Sequence, residues 1–189
     1  MSIHLQTKRL LISPISIADL ENIHRLHSLP ETDKFNTLGI PENIDETESI
    51  LNEWIEKNNN GKHKNYTFKI ELSESKDFIG LISLNLGKPK FKIAEVWYKL
   101  HSDFWKNGYA TESLNRILEF GFNELNLHRI EAGCAVENIG SIRVLEKVGM
   151  LREGRKREVL PLKNGWSDNF HYAILSTDEK STTHNKELS

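Results

Sequence analysis

The spacing of apolar residues divides the chain into elements before any chemistry is considered. Leu5, Leu10 and Ile12 place a first strand over Leu5 to Ser13, ended by Pro14. Ser16 with Asp19 is a capping signal, and Leu20, Ile23 and Leu26 to Leu29 predict a helix that Pro30 closes. Glu31 to Asn43 reads as irregular, broken at Gly39 and Pro41. A second helix, from Asp45 or Thr47 to Lys57, carries Ile50, Leu51, Trp54 and Ile55 on one face and stops at Asn58-Asn59-Asn60-Gly61. Tyr66 to Leu72 alternates apolar with polar residues, and Phe78 to Leu86 pairs with it across a short turn. The turn Gly87-Lys88-Pro89-Lys90 then leads into a strand ending at Leu100, so this part is an antiparallel meander.

That strand runs into Trp105-Lys106-Asn107-Gly108-Tyr109-Ala110-Thr111, which opens a helix striped by Leu114, Ile117, Leu118, Phe122 and Leu125. His128 to Val136 is the next strand, with Ile130, Ala132, Cys134 and Val136 on one face. Asn138 caps another helix, with Ser141 in its first turn, Ile142, Leu145 and Val148 inward, and Gly149 as its stop. Two final strands are joined at Asn164-Gly165. There is no repeat. The pattern predicts a single domain over residues 1–176 and a polar tail over 177–189.

The strand–turn–helix around Gly108 carries the first chemical signal. Amides at the start of a helix have no intrahelical acceptor, and the helix dipole favours negative charge there. The turn therefore reads as a pyrophosphate cradle. It is neither of two common nucleotide loops: G-x-x-x-x-G-K-[ST] is absent, and Gly108 stands alone where a dinucleotide fold needs G-x-G-x-x-G.

Composition narrows the classes further. The 189 residues carry 25 Lys and Arg against 27 Asp and Glu, a net charge of −2, so no nucleic-acid signature is present. Acids interrupt the one basic cluster, Arg152 to Arg157, which reads as a solvated edge. One cysteine excludes an internal disulfide and suits a reducing compartment. No membrane-length apolar run and no leader-like start are evident, so a soluble cytoplasmic protein is expected. His24 and His27 lack a third ligand nearby, and no metal is expected.

Trp105, Gly108 and Ala110 stand where the acyl-coenzyme A loop of the Gcn5-related N-acetyltransferases (GNAT) is usually written [Q/R]-x-x-G-x-[G/A]. The surrounding W-K-N-G-Y-A-T-E resembles the RimJ/RimL branch, which commonly has glycine at Lys106. Asn138 to Met150 resembles that branch's N-x-x-S-x-x-[VL]-x-x-[KR]-x-G-F signature, with Met150 replacing the aromatic. Glu153-Gly154, Asn164-Gly165, Asp168 and Tyr172 continue the likeness in register.

The resemblance implies an α+β, three-layer fold with a mixed sheet of about seven strands, splayed between the fourth and fifth, and about four helices. It implies acetyl-CoA as cofactor and a primary amine as acceptor, either a protein N-terminus or a small molecule. The pantetheine arm would pair with the backbone of Tyr98, Lys99 and Leu100, and the pyrophosphate would lie on the amides of Lys106, Asn107, Gly108, Tyr109, Ala110 and Thr111 beside Trp105. Asn138 and Lys147 are further cofactor candidates, and Ser141 is the implied proton donor or hydrogen-bond partner of the leaving thiolate. Phe35, Leu38 and Trp97 are acceptor-contact candidates, and a backbone N–H near Trp97 or Tyr98 would serve the developing oxyanion.

Glu95 is the first candidate general base and Glu158 the second. Cys134 sits mid-strand with no legible His partner and reads as a packing residue, which favours direct attack of the amine over an acetyl-cysteine route. His101 and His128 have no triad partners in the sequence. A non-catalytic acyl-CoA binder is the rival reading. Strand edges of this fold are suited to homodimer pairing; neither nucleic acid nor membrane is expected as a partner.

Overall fold

The computed structural model describes residues 3–59 and 65–178. A meander of five antiparallel strands starts the sheet: β1 (Leu5–Gln6), β2 (Leu10–Pro14), β3 (Asn65–Leu72), β4 (Phe78–Leu86) and β5 (Ile93–Leu100). Strand β6 (Arg129–Ala135) joins β5 in parallel, and the hairpin β7 (Leu151–Leu162) and β8 (Gly165–Leu175) completes it. The order across the sheet is β1-β2-β3-β4-β5-β6-β8-β7. Strands in β5 register alternate their side chains between the two faces. Val96 and Leu100 join Phe68, Ile70, Ile82, Leu84, Leu114, Ile117, Leu145 and Val148 in one core. Trp97, on the opposite face, packs with Leu81, Ile23, Leu26, Leu51 and Trp54 in a second.

Helices α4 (Tyr109–Glu119) and α5 (Ile139–Lys147) therefore cover one face, and α1 (Leu20–His27) and α3 (Ile44–Asn59) the other. This is the expected three-layer α+β arrangement, opened between β5 and β6. It has one more strand and one more helix than the apolar pattern suggests. The extra strand arises because Thr7 to Arg9 break the first run: Thr7 N–H donates to Leu10 O at 3.0 Å, and its hydroxyl accepts from Leu10 N–H at 3.0 Å. The extra helix, α2 (Pro30–Asp33), follows from the one-sided rule for proline, which ends a helix but also fits the first turn of the next.

Two further expectations shift. The stripe of α4 runs on to Phe122 and Leu125, which pack partly buried against the core, but not as α-helix. A π-helical turn over Phe120–Glu124 adds a residue to the turn, so Phe120 is buried against Phe68 while Phe122 is only partly covered. Gly121 allows this, because a Cβ there would lie 2.7 Å from Ile130 Cδ1. In the last hairpin the two-residue turn is Lys163-Asn164, and Gly165 already pairs with Leu162. The expected stop of α3 at Asn60 and Gly61, and the tail beyond residue 178, lie outside the described residues.

Candidate active site

The parting of β5 from β6 defines the site. They pair at Ile93–Arg129, Ala94–Ile130 and Glu95–Glu131, and pairing ends there although both strands continue. Val96 to Leu100 keep β4 on one side and leave their other edge without a strand. An extended amide-bearing ligand fits such a gap, because it can take up main-chain bonds that would otherwise be missing.

At the end of β5 the chain makes a 3-10 turn and enters α4 through the cradle. Gly108 is the N-cap of α4 at φ +81°, and Lys106 is left-handed at φ +63°. The first helical bond is Glu112 N–H to Gly108 O at 3.0 Å, so the amides of Lys106 to Thr111 find no backbone acceptor among the described residues. This is the donor set a diphosphate needs, and the open space around Gly108 leaves room for it: the nearest atom to an added Cβ is Arg9 Nη2 at 3.5 Å. Trp105 fixes the approach by donating from Nε1 to Leu100 O at 2.8 Å.

The cradle is held from the far end of the sequence. Arg9 donates to Glu112 Oε2 from Nε at 2.7 Å and to Asn107 O from Nη1 at 3.1 Å, and lies over the Tyr109 ring at 4.5 Å. Thr7 Oγ1 donates to Glu112 Oε1 at 2.6 Å. Burial would raise the Glu112 carboxyl, but the Thr7 and Arg9 hydrogen bonds outweigh it and hold it below its usual range. Sequence reading missed this clamp, since 103 residues separate Arg9 from Glu112.

On the α4–α5 face, Asn138 caps α5 by accepting from Ser141 N–H at 3.1 Å. Ser141 Oγ lies 2.8 Å from Tyr98 Oη, and its hydroxyl partly offsets the effect of burial on the Cys134 thiol. Burial raises both the Tyr98 phenol and the Cys134 thiol, the latter to about 11, so both stay protonated at neutral pH. Cys134 does meet the first turn of a helix, contrary to the strand-based expectation, because α5 folds back over β6. Its raised pKa still makes it a poor nucleophile. Lys147 is exposed in the last turn of α5, about 9 Å along the axis from Ser141.

Glu95, Trp97 and Lys99 alternate onto the α1–α3 face. Glu95 is exposed at the last residue pair before the strands part, and no hydrogen bond ties its carboxylate to a described residue. The neighbouring Glu131 is bound by Arg129, which also binds Glu153. Trp97 meets Trp54 with ring centroids 5.4 Å apart, and Trp54 meets His27 at 5.7 Å. His27 is 2% exposed; burial, then Lys99, then His24 push its pKa down to about 3. His24 instead bonds Thr47 Oγ1 at 2.8 Å. Lys99 Nζ is buried without a partner, and burial lowers its pKa to about 8, partly offset by Asp33.

The remaining candidates lie farther out. Phe35 is half-buried and Leu38 exposed, on a loop beside a cavity of about 380 Å³ lined by Asp33, Asn36, Thr37, Gly39, Ile40 and the hairpin residues Pro161, Leu162 and Lys163. Glu158 is exposed in a β7 bulge at φ +48°, where its N–H donates to Asp168 Oδ1 at 2.8 Å. Strands β6 and β8 separate it from Glu95. His101 caps the 3-10 turn after β5, accepting from Asp103 N–H at 3.3 Å. Among the described residues no cluster could hold a metal, and no helix is long and apolar enough to cross a membrane.

Comparison with known proteins agrees with this geometry. Residues 9–151 match the family model for the acetyltransferase (GNAT) domain. The chain is 35% identical over 177 residues to YnaD of Bacillus subtilis, an uncharacterised N-acetyltransferase, covering 93% of this chain and 98% of that protein. Spermidine N-acetyltransferase from Vibrio cholerae, solved with CoA and spermine, superposes with a TM-score of 0.79 at 26% identity, covering 90% of this chain and 97% of that one. RimJ of Mycobacterium smegmatis, solved with CoA-disulfide, shares the fold at TM-score 0.81 and 22% identity, over 95% and 90% of the two chains. With the parted strands, the amide cradle and the capped Ser141 at hand, the chain belongs to the GNAT acetyltransferase family, enzymes that use acetyl-CoA.

Proposed function

We propose that the protein acetylates a primary amine by direct attack within a ternary complex, the acceptor entering from the α1–α3 face. One observation carries this reading: β5 presents Tyr98 with Ser141 to one face and Glu95 with Trp97 to the other, beside the gap where β6 departs. Acetyl-CoA, when bound, would supply the thioester carbonyl. Amides of Lys106 to Thr111 would hold the diphosphate, and the strand-free edge of Tyr98, Lys99 and Leu100 would align the pantetheine arm. A main-chain N–H at Trp97 or Tyr98 donates where negative charge develops on the carbonyl oxygen.

Glu95, directly or through a water, takes the proton that the amine gives up as its nitrogen bonds the acyl carbon. The sulfur leaves as thiolate when the C–S bond breaks, with the Ser141 hydroxyl donating a hydrogen bond to it and Tyr98 Oη, 2.8 Å away, steadying that hydroxyl. An α-amino acceptor has an ordinary pKa of about 7.7–8.0, so a base of modest strength suffices near neutral pH.

The test is thiol release from acetyl-CoA with a panel of amines. Release should depend on the amine, and Ser141→Ala should lower kcat by roughly 10²-fold with CoA affinity nearly unchanged. Acetylation of the protein before amine is added would overturn direct attack. CoA binding with no release on any amine would favour the non-catalytic binder.

A further inference from the structure

Three buried polar groups on or beside the acceptor face lack hydrogen-bond partners among the described residues. Lys99 Nζ, both ring nitrogens of His27 and Asp33 Oδ1 are all buried without a hydrogen bond. They come from β5, α1 and α2, and their charges sense one another: Lys99 acts on His27, and Asp33 acts on Lys99. Native interiors rarely leave such groups open, and each unmade bond costs more than a made one returns. The cluster is not a packing accident on an otherwise greasy surface. Trp54 packs against His27 and against Trp97, which shares the β5 face with Lys99, and Asp33 also lines the cavity between the 33–40 loop and the hairpin tip. Aromatic walls with a few convergent polar groups are how small-molecule pockets are built.

The chemistry of the open atoms specifies what would close them. An ammonium and an imidazole N–H are donors that need a charged acceptor with several lone pairs, which a carboxylate provides. The Asp33 oxygen needs a donor. We propose that Lys99, His27 and Asp33 recognise an acceptor amine that carries a carboxylate of its own, as a free amino acid or an acidic peptide N-terminus does. Lys99 and His27 donate to that carboxylate, and Asp33 accepts from an N–H of the same molecule. A polyamine would bring further positive charge against Lys99 and is disfavoured. The proposal rests on the amine-acetylating reading above, and Lys99 thereby sets specificity from the side chain of a strand whose backbone faces the cofactor.

The experiment uses the full chain with CoA or acetyl-CoA and two readouts. Fluorescence of the tryptophans beside the pocket reports acceptor binding, and free thiol reports transfer. The acceptors are amino acids, their carboxamides, short peptides with an acidic second residue, and spermidine. Carboxylate acceptors should bind and react at least about tenfold better than their carboxamides, the value of one charge-assisted hydrogen bond. Lys99→Met should erase that preference by raising KM for the carboxylate form to that for the carboxamide, so the ratio of the two KM values falls to about one. Lys99→Gln serves as a second variant should Met disturb folding. Free amino acids outperforming acidic peptides, or the reverse, identifies the source within the proposal. Equal use of carboxamides or spermidine by the native chain, or a preference that survives both substitutions, overturns it. Carboxylate-selective binding without thiol release on any amine would sink the catalytic reading and leave the recognition site standing.

Discussion

Lys99→Met should make the protein more stable at pH 7. The Lys99 side chain is largely buried and its ammonium has no partner, which lowers its pKa from 10.5 to about 8, burial being the main cause. The difference, at about 1.36 kcal/mol per pH unit, places the cost of keeping the charge inside at about 3 kcal/mol. The sign follows from proton counting. Between pH 8 and 10.5 the unfolded chain holds a proton that the folded one has shed, so stability rises with pH across that window. Below pH 8 both states are protonated and the full cost is present. Methionine has a similar length and no charge, so the swap removes the cost without opening a cavity. A gain of about 3 kcal/mol corresponds to roughly 6–12 °C in Tm for a chain of this size. Urea unfolding of both proteins at pH 7 and pH 10.5, followed by circular dichroism, measures it. The variant should lead at pH 7 and lose most of its lead at pH 10.5. A variant less stable than the native chain at pH 7, or a lead that does not shrink at high pH, would refute the buried-charge argument.

Other expectations follow from the same geometry. Lys106→Gly should relieve a left-handed non-glycine residue and raise stability by about 1 kcal/mol in urea titrations, while CoA binding weakens and becomes less salt-dependent as one charge leaves the cradle. Glu112→Gln should destabilise the fold by about 1–3 kcal/mol through the Thr7 and Arg9 bonds. Because the Glu112 pKa is held down in the folded state, its contribution is present above its ordinary value of 4.5 and fades as pH falls below it, so acid titrations of variant and native chain should converge. His27, kept neutral down to about pH 3, should cost stability as pH falls from 6.5 towards 3, and His27→Phe should flatten that limb of the native stability profile.

Much of the fold was legible because it rests on short-range rules. The alternation of Tyr66 to Leu72 and Phe78 to Leu86 became β3 and β4 with bounds shifted by a residue at most. Asn138 capped α5 as its side chain requires, and Gly108 took the positive φ that a strand-to-helix turn demands. The places that differed were those where one residue type serves two ends of an element. Pro30 stopped α1 and opened α2, and Gly121 admitted a close approach by Ile130 that let the π turn bury Phe120.

The site divides in the same way. The chain by itself determined where α4 starts with amides that lack intrahelical acceptors, and that Asn138 and Ser141 head α5, since both depend on residues within one turn of each other. Only the tertiary structure decided that Arg9 clamps Glu112, that Cys134 and Tyr98 lie beside Ser141, and that polar atoms of His27, Asp33 and Lys99 are buried without hydrogen-bond partners among the described residues. Those contacts join segments tens of residues apart, and no periodicity in the chain encodes which face of β5 each segment will cover. Sheet order and the parting of β5 from β6 set that, and they arise from packing two cores against opposite faces of one sheet.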